Sequence, residues 1–384
     1  MNRTYLTPPN ADPRLAKLGQ AGQSLWSDVL SRDEIRSGRL AALIAAGVTG
    51  VTSNPVIFEQ AISKSNDYDN DIKAMLAKNP KLSPKEVYEN LAIADIQEAA
   101  GLLRPIYEQT GDCDGFVSLE VDPHLAYDRD ATINEAIDLF TRIDRPNVMI
   151  KIPATTEGIQ AMKILSGNRI GNYSININMT LIFTLEQYQS IIEAWQTGLK
   201  KTYPSIYPSD APQCVASFFM SRIDVLVEKH LGELLAAGRL LPFEAEYLMP
   251  PLAPSLALAA AEQAYKLWRE KSEETSPFAT PRLLWASTGT KNKNLPDTYY
   301  MENLIAKDTI NTVPPATLAA FRDHGNVKPS QLNFAHLADN KCLQDLAGHG
   351  MTLEKLGARL LPDGLTIFAE AQDRLLAAIA AKMS

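Results

Sequence analysis

Lys151 lies within Val148-Met149-Ile150-Lys151-Ile152-Pro153-Ala154, a run that is otherwise apolar. A lysine in such a strand cannot be hydrated as a surface lysine is, and burial disfavours its ammonium form. A neutral amine is what a carbonyl compound needs to form a Schiff base. Two blander readings stand beside that one. The lysine could be half of a structural ion pair with Glu120 or Asp28, or it could sit at the strand end and reach back to water. Glu120 belongs to Val117-Ser118-Leu119-Glu120-Val121-Asp122, where it shares a strand face with Ser118 and Asp122. A carboxylate beside an amine can move protons, directly or through a water, or can simply pair with it. Asp28 follows the apolar pair Leu25-Trp26. It reads as a proton acceptor or as the cap of the helix that follows.

A polar stripe accompanies these groups. In Ile175–Leu181 the residues Ile175, Ile177, Met179 and Leu181 alternate with Asn176, Asn178 and Thr180. One set is expected to face outer helices and the other an interior. Buried polar groups are costly unless hydrogen-bonded or used, so the stripe is a satisfied core layer or a site. Ser217 and Arg222 follow one another in Ala216–Arg222, and Ser287 and Lys291 share the small-residue loop Ser287–Asn292. Hydroxyls, backbone N–H groups and a cation in such loops suit a phosphate, which arginine can grip at two points. An arginine that opens a helix is also a common surface residue. The histidines His124, His230, His324, His336 and His349 have no metal-ligand spacing. No GxGxxG follows a strand, so neither a nicotinamide nor a flavin is expected.

Something must hold these groups together. Eight short runs read as strands: Leu25–Leu30, Val48–Asn54, Gly115–Asp122, Asn147–Ala154, Ile175–Leu181, Cys214–Phe219, Arg282–Ser287 and Thr309–Val313. Helical apolar spacing fills most of the intervals, as in Tyr88–Leu103, Ile133–Arg142, Ile159–Leu165, Leu185–Leu199 and Ile223–Ala237. That alternation predicts an α/β fold, and eight parallel strands favour a (β/α)8 TIM barrel over an open sheet. Active sites of such barrels form at the carboxyl ends of the strands. Asp28, Asn54, Glu120, Lys151, Asn178, Thr180, Ser217, Arg222 and Ser287 fall in or just after successive strands. The long intervals Asn54–Gly115 and Leu226–Pro281 are expected to hold helical insertions, the second broken at Pro242, Pro250, Pro251 and Pro254. The amphipathic tail Leu353–Met383 is expected to pack on the barrel. Residues 1–384 thus read as one domain, with a core of about 24–318 and a helical extension over 319–384.

The bulk numbers bound the function. The chain has 384 residues, 45% hydrophobic and 21% charged, with a net charge of −8. A mildly acidic surface without basic runs excludes nucleic acid and anionic lipid as expected partners. Positive charge for an anionic substrate must then be local. Cys113, Cys214 and Cys342 match no CxxC pair and read as buried thiols of a cytoplasmic protein. No signal-peptide core opens the sequence, and no run of about 18 apolar residues predicts a membrane helix. Oligomeric state stays open, a homo-oligomer included.

Taken together, these segments resemble the transaldolase family in its longer bacterial branch. The matching pieces are SLWSDVLSR (Ser24–Arg32), GVTGVTSNPVIFEQAI (Gly47–Ile62), VSLEVDP (Val117–Pro123), VMIKIPAT (Val148–Thr155), INMTLIF (Ile177–Phe183), ASFFMSRID (Ala216–Asp224), ASTGTKN (Ala286–Asn292) and NTVPPATL (Asn311–Leu318). The resemblance implies a (β/α)8 barrel with no metal or organic cofactor. It implies transfer of a dihydroxyacetone unit from sedoheptulose 7-phosphate to glyceraldehyde 3-phosphate, within the pentose phosphate pathway. The products would be erythrose 4-phosphate and fructose 6-phosphate. The family's Schiff-base lysine falls on Lys151 and its proton-transfer aspartate on Asp28. The glutamate and threonine that hold a catalytic water fall on Glu120 and Thr180. The asparagines that bind substrate hydroxyls fall on Asn54 and Asn178, and the serine and arginine near the phosphate on Ser217 and Arg222. Ser287 and Lys291 match a phosphate loop that varies within the family. His124 stands where the pattern has arginine, past the catalytic glutamate, and touches a surface contact rather than the chemistry. A fructose 6-phosphate aldolase with the same lysine and a non-catalytic sugar-phosphate-binding barrel are the competing expectations.

Overall fold

The alternation of apolar runs and amphipathic stretches resolves, in the computed structural model, into eight parallel strands closed on one another. The structure describes residues 4–6, 8, 10–170, 173–202, 211–250, 255–276, 279–328, 332 and 341–384. The barrel strands are β1 (Gln23–Ser27), β2 (Gly50–Val51), β3 (Val117–Glu120), β4 (Val148–Pro153), β5 (Asn176–Ile182), β6 (Cys214–Phe219), β7 (Arg282–Ala286) and β8 (Thr309–Val313). Each pairs with its successor, and β8 closes on β1 with Gln23 opposite Thr309 and Ser27 opposite Val313. Arg169–Ile170 and Tyr173–Ser174 add a small antiparallel pair outside the barrel that the sequence reading did not anticipate.

Helices fill the intervals as expected. Asn54–Gly115 holds Pro55–Ser63, Asp69–Lys78 and Pro84–Gln109, and the stretch after β6 holds Ser221–Ala236, Pro242–Tyr247 and Leu256–Glu274. Pro251 and Pro254, expected breakers of that stretch, lie outside the described residues, as does His336. Of the cysteines expected to be buried, Cys214 is, but Cys113 is only half-buried. Cys113 sits in the turn after Pro84–Gln109, where its Sγ bonds the Gly111 carbonyl at 3.4 Å. The Cys342 side chain is outside the described residues.

Two expectations about strands change. The run Val48–Asn54 contributes only Gly50–Val51. Thr52 lies just past the strand, its N–H bonded to the Ser27 carbonyl at 2.9 Å and its hydroxyl to Asp28 and Thr312. Asn54 then caps Pro55–Ser63 by accepting from the Ile57 N–H at 3.0 Å. Leu181 was expected to face the outer helices with Ile177 and Met179. It instead adopts φ 59°, where the β5–β6 register shifts. Its side chain lies beside Gly364 of the C-terminal helix.

Shortening β2 to two residues makes its glycine critical. A Cβ on Gly50 would land on the indole ring of Trp26, which is fully buried and donates from Nε1 to Asp114 at 2.8 Å. That ring is fixed at both ends and cannot swing away. Gly50→Ala is therefore expected to destabilise the protein by about 1–3 kcal/mol, the usual cost of overpacking a filled core. Urea unfolding of the variant measures it, and an unchanged midpoint would contradict the packing argument.

The tail does more than pack on the outer wall. Its long helix, Leu353–Met383, crosses above β5 and the helices Pro55–Ser63, Pro84–Gln109 and Ser221–Ala236. Arg374 pairs with Glu59, Lys382 with Asp69, and His124 with Asp373. Such surface pairs, exposed or half-buried, contribute little. Burying a Leu, Ile or Phe contributes about 1.5–3 kcal/mol each, and Leu360, Leu365, Phe368, Leu375 and Ile379 are all buried. The apolar stripe, not the charge ladder, holds the helix in place.

Candidate active site

Parallel register assembles the centre. Glu120 of β3 stands opposite Lys151 of β4, and Lys151 opposite Asn178 of β5. In a closed barrel, side chains at matched register share one interior level. Lys151 is 4% exposed. Its Nζ lies 3.0 Å from Glu120 Oε2 and donates to the Ser53 carbonyl at 3.1 Å. It does not reach bulk water, which removes the reading of a snorkelling strand-end lysine. Glu120 Oε1 and the Thr180 hydroxyl are buried with no hydrogen-bond partner among the described residues. Both retain bonding capacity beside the amine.

The lysine forms part of the lining of a cavity of about 290 Å³. Asp28, Asn54, Thr180, Ser217, Arg222, Ser287 and Lys291 also line it. Every one of these was legible as a candidate in the sequence. Glu120 touches the site through Lys151 rather than through the wall. Asn178 is fully buried. It accepts from the Ser217 hydroxyl at 2.6 Å and donates to Ser118 at 3.1 Å. In this structure its amide fixes Ser217. Asp28 accepts from Thr52 at 3.0 Å, and Thr52 in turn meets Thr312 at 2.7 Å.

Burial raises the carboxyl groups. Desolvation pushes Glu120 above its usual range, opposed by Lys151 and Arg222. Asp28 is raised for the same reason, against Lys151, the Thr52 hydroxyl and Arg222. Arg222 is lowered by burial, with Glu120 and Asp28 opposing. Neither Arg222 nor Lys291 has an ion-pair partner among the described residues. Two cations without ion pairs in the lining of one cavity, in a chain of net charge −8, give that cavity a local positive potential. Arg222 lies in the first turn of Ser221–Ala236, where the helix dipole adds positive potential. Ser287 approaches from β7 with φ 55°, and its hydroxyl meets that of Ser221 at 3.0 Å. A non-glycine residue in the left-handed region is uncommon and often found at functional sites.

Among the lining residues that the sequence does not single out are Thr52, Phe219, Thr312 and Phe368. Thr52 and Thr312 could have been found, since each lies at or just beyond a strand end. Phe368 could not, because it looks like any other apolar residue of an amphipathic tail. His124, which stands where the family pattern has arginine, reaches Asp373 at 2.9 Å on the helix that carries Phe368. No group of three or more His, Cys, Asp or Glu able to hold a metal occurs among the described residues. No helix among them is long and apolar enough to cross a membrane.

A family model described as Transaldolase/Fructose-6-phosphate aldolase matches residues 25–379. Among similar proteins is the transaldolase of Saccharopolyspora erythraea, 38% identical over 94% of this chain and 95% of its own length. The transaldolase of Thiobacillus denitrificans is 39% identical over 94% of this chain and 98% of its length. That of Neisseria gonorrhoeae is 38% identical over the same shares.

Proposed function

The chain belongs to the transaldolase/fructose-6-phosphate aldolase family, and from that premise we propose that it moves a dihydroxyacetone unit between sugar phosphates through a Schiff base on Lys151. The observation that carries this reading is the amine itself. It is buried at the cavity wall, 3.0 Å from a carboxylate, with Arg222 and Lys291 in the lining of the same cavity.

Lys151 attacks the C2 ketone of sedoheptulose 7-phosphate, and loss of water gives an iminium. Glu120 and Thr180, each with spare bonding capacity, hold the water that carries protons during iminium formation and its reversal. Asp28 takes the proton of the C4 hydroxyl. The C3–C4 bond breaks, its electron pair flows toward the iminium nitrogen, and erythrose 4-phosphate leaves. The three-carbon unit remains on Lys151 as an enamine. Glyceraldehyde 3-phosphate enters, C3 attacks its aldehyde, and Asp28 returns the proton. Hydrolysis frees fructose 6-phosphate and the amine. Arg222, with Lys291 and Ser287, grips the phosphate of donor and acceptor and so fixes the reacting carbons. Asn54 and Ser217 contact substrate hydroxyls. Asn178 acts through the hydroxyl of Ser217, which it holds, or directly once that bond opens.

The test uses borohydride with fructose 6-phosphate. The expected result is a dihydroxyacetone-derived mass adduct on the protein, transfer to erythrose 4-phosphate, and little free dihydroxyacetone when no acceptor is present. Rapid release without acceptor would mark an aldolase. Binding with no adduct would mark a non-catalytic sugar-phosphate barrel.

A further inference from the structure

Phe368 comes to the site from the C-terminal helix. Its ring is 2% exposed. Lys151 Nζ lies 5.6 Å from the ring centroid and Arg222 Cζ lies 5.8 Å from it. One side chain is therefore within cation–π reach of both the reacting nitrogen and the phosphate-gripping guanidinium. The helix comes this close because of Gly364, one turn earlier. A Cβ there would stand 3.0 Å from Leu181 Cδ2 and 3.2 Å from the Arg222 guanidinium. One turn later, Gln372 is buried and lines a small cavity with Glu120. Gly364, Phe368 and Gln372 thus form one stripe, four residues apart, turned to the barrel mouth.

We propose that Phe368 determines reaction specificity, by walling the three-carbon intermediate so that an aldehyde and not a proton captures it. This inference rests on the Schiff-base reading above. The enamine has two fates. In transfer, C3 bonds to the acceptor aldehyde, whose oxygen takes a proton, and the iminium is restored. In release, C3 takes a proton, the iminium is restored without a new carbon–carbon bond, water adds at C2, and the C2–Nζ bond breaks to give dihydroxyacetone and the free amine. Release needs a proton donor or ordered water close to C3. A phenyl ring supplies neither and excludes bulk water from that side. Its face also favours the iminium cation that precedes C–C cleavage.

Two variants test this. Phe368→Leu keeps most of the buried volume and so the fold, while removing the aromatic face. Phe368→Ala opens the wall. Each is scored for free dihydroxyacetone from fructose 6-phosphate without acceptor, and for transfer to erythrose 4-phosphate, with thermal unfolding as the fold control. Phe368→Leu is expected to lower transfer kcat about tenfold, the scale of one desolvated cation–π contact. Its release-to-transfer ratio should rise, and that of Phe368→Ala should rise further. A purely structural role would lower both rates together and leave the ratio fixed. If wild type forms the borohydride adduct and folded Phe368→Leu has an unchanged ratio, this inference is overturned alone. If wild type forms no adduct, the Schiff-base reading falls and takes the inference with it.

Discussion

Lys151→Met is expected to lower transfer by about 10⁵-fold or more, because the covalent route disappears with the amine. The variant should carry no borohydride-stable adduct after incubation with fructose 6-phosphate, where wild type carries one. Methionine is close in length and suits the apolar strand Val148–Pro153, so the barrel should persist. The substitution leaves Glu120 without its 3.0 Å partner. Burial already raises that carboxyl, with Lys151 the leading opposing influence. Removing the lysine should push it further toward its neutral form. The variant should then hold that proton to higher pH than wild type does, and Glu120→Gln in the same background should change its stability little. Intact-mass spectrometry and a coupled assay for glyceraldehyde 3-phosphate read the outcome. An adduct on a different lysine, or turnover within tenfold of wild type, would end the Lys151 assignment.

The second large effect is expected at Asp28. Asp28→Asn keeps the shape of the side chain and an oxygen for the Thr52 hydroxyl, 3.0 Å away, but cannot take the C4 proton. Loss of a general base costs about 10²–10⁴-fold in kcat. KM should move far less, since the proposed mechanism gives the phosphate to Arg222 and Lys291 and not to Asp28. The pH dependence follows from the direction of the shift. Burial raises the Asp28 carboxyl, so its basic form is gained only as pH climbs above the usual carboxylate range. The acidic limb of wild-type kcat should lie above that range. Glu120 is raised as well, so the limb belongs to the interacting pair. In Asp28→Asn the limb should move or flatten. Stability changes in the opposite sense. A carboxyl raised in the folded state contributes stability that is full below its unfolded value and is lost as pH rises through the folded one. The variant escapes that loss. Its Tm relative to wild type should therefore increase as pH rises through this window. A kcat within tenfold of wild type with the same acidic limb would remove Asp28 from the chemistry.

Much of this molecule is readable before folding. The runs at Cys214–Phe219 and Thr309–Val313 match β6 and β8 residue for residue, because buried parallel strands are short, apolar and bounded by polar turns. Lys151 stands out because a lysine in such a run has few structural excuses. The misreadings share a cause as well. Val48–Asn54 looked like seven residues of strand, yet Asn54 spends its side chain on a helix cap and Thr52 turns inward to Asp28. Alternation predicted an outward Leu181, but its backbone crosses to φ 59°. Local pattern reports which residues prefer burial. It does not report where a single dihedral breaks the period.

The sequence alone was enough to determine the chemistry available: an amine in an apolar strand, acids and hydroxyls at successive strand ends, and cations after two late strands, one opening a helix and one in a loop. These follow from residue type and periodicity, which are local properties. Tertiary structure decided which of those groups meet. Strand register set Lys151 level with Glu120 and Asn178, and it turned the Asn178 amide toward Ser118 and Ser217. It also brought Phe368 over the lysine from the far end of the chain. An amphipathic stripe states only that one face must be covered. What it covers depends on loop paths and close approach at a residue such as Gly364, and those are settled by packing among distant segments rather than by any window of sequence.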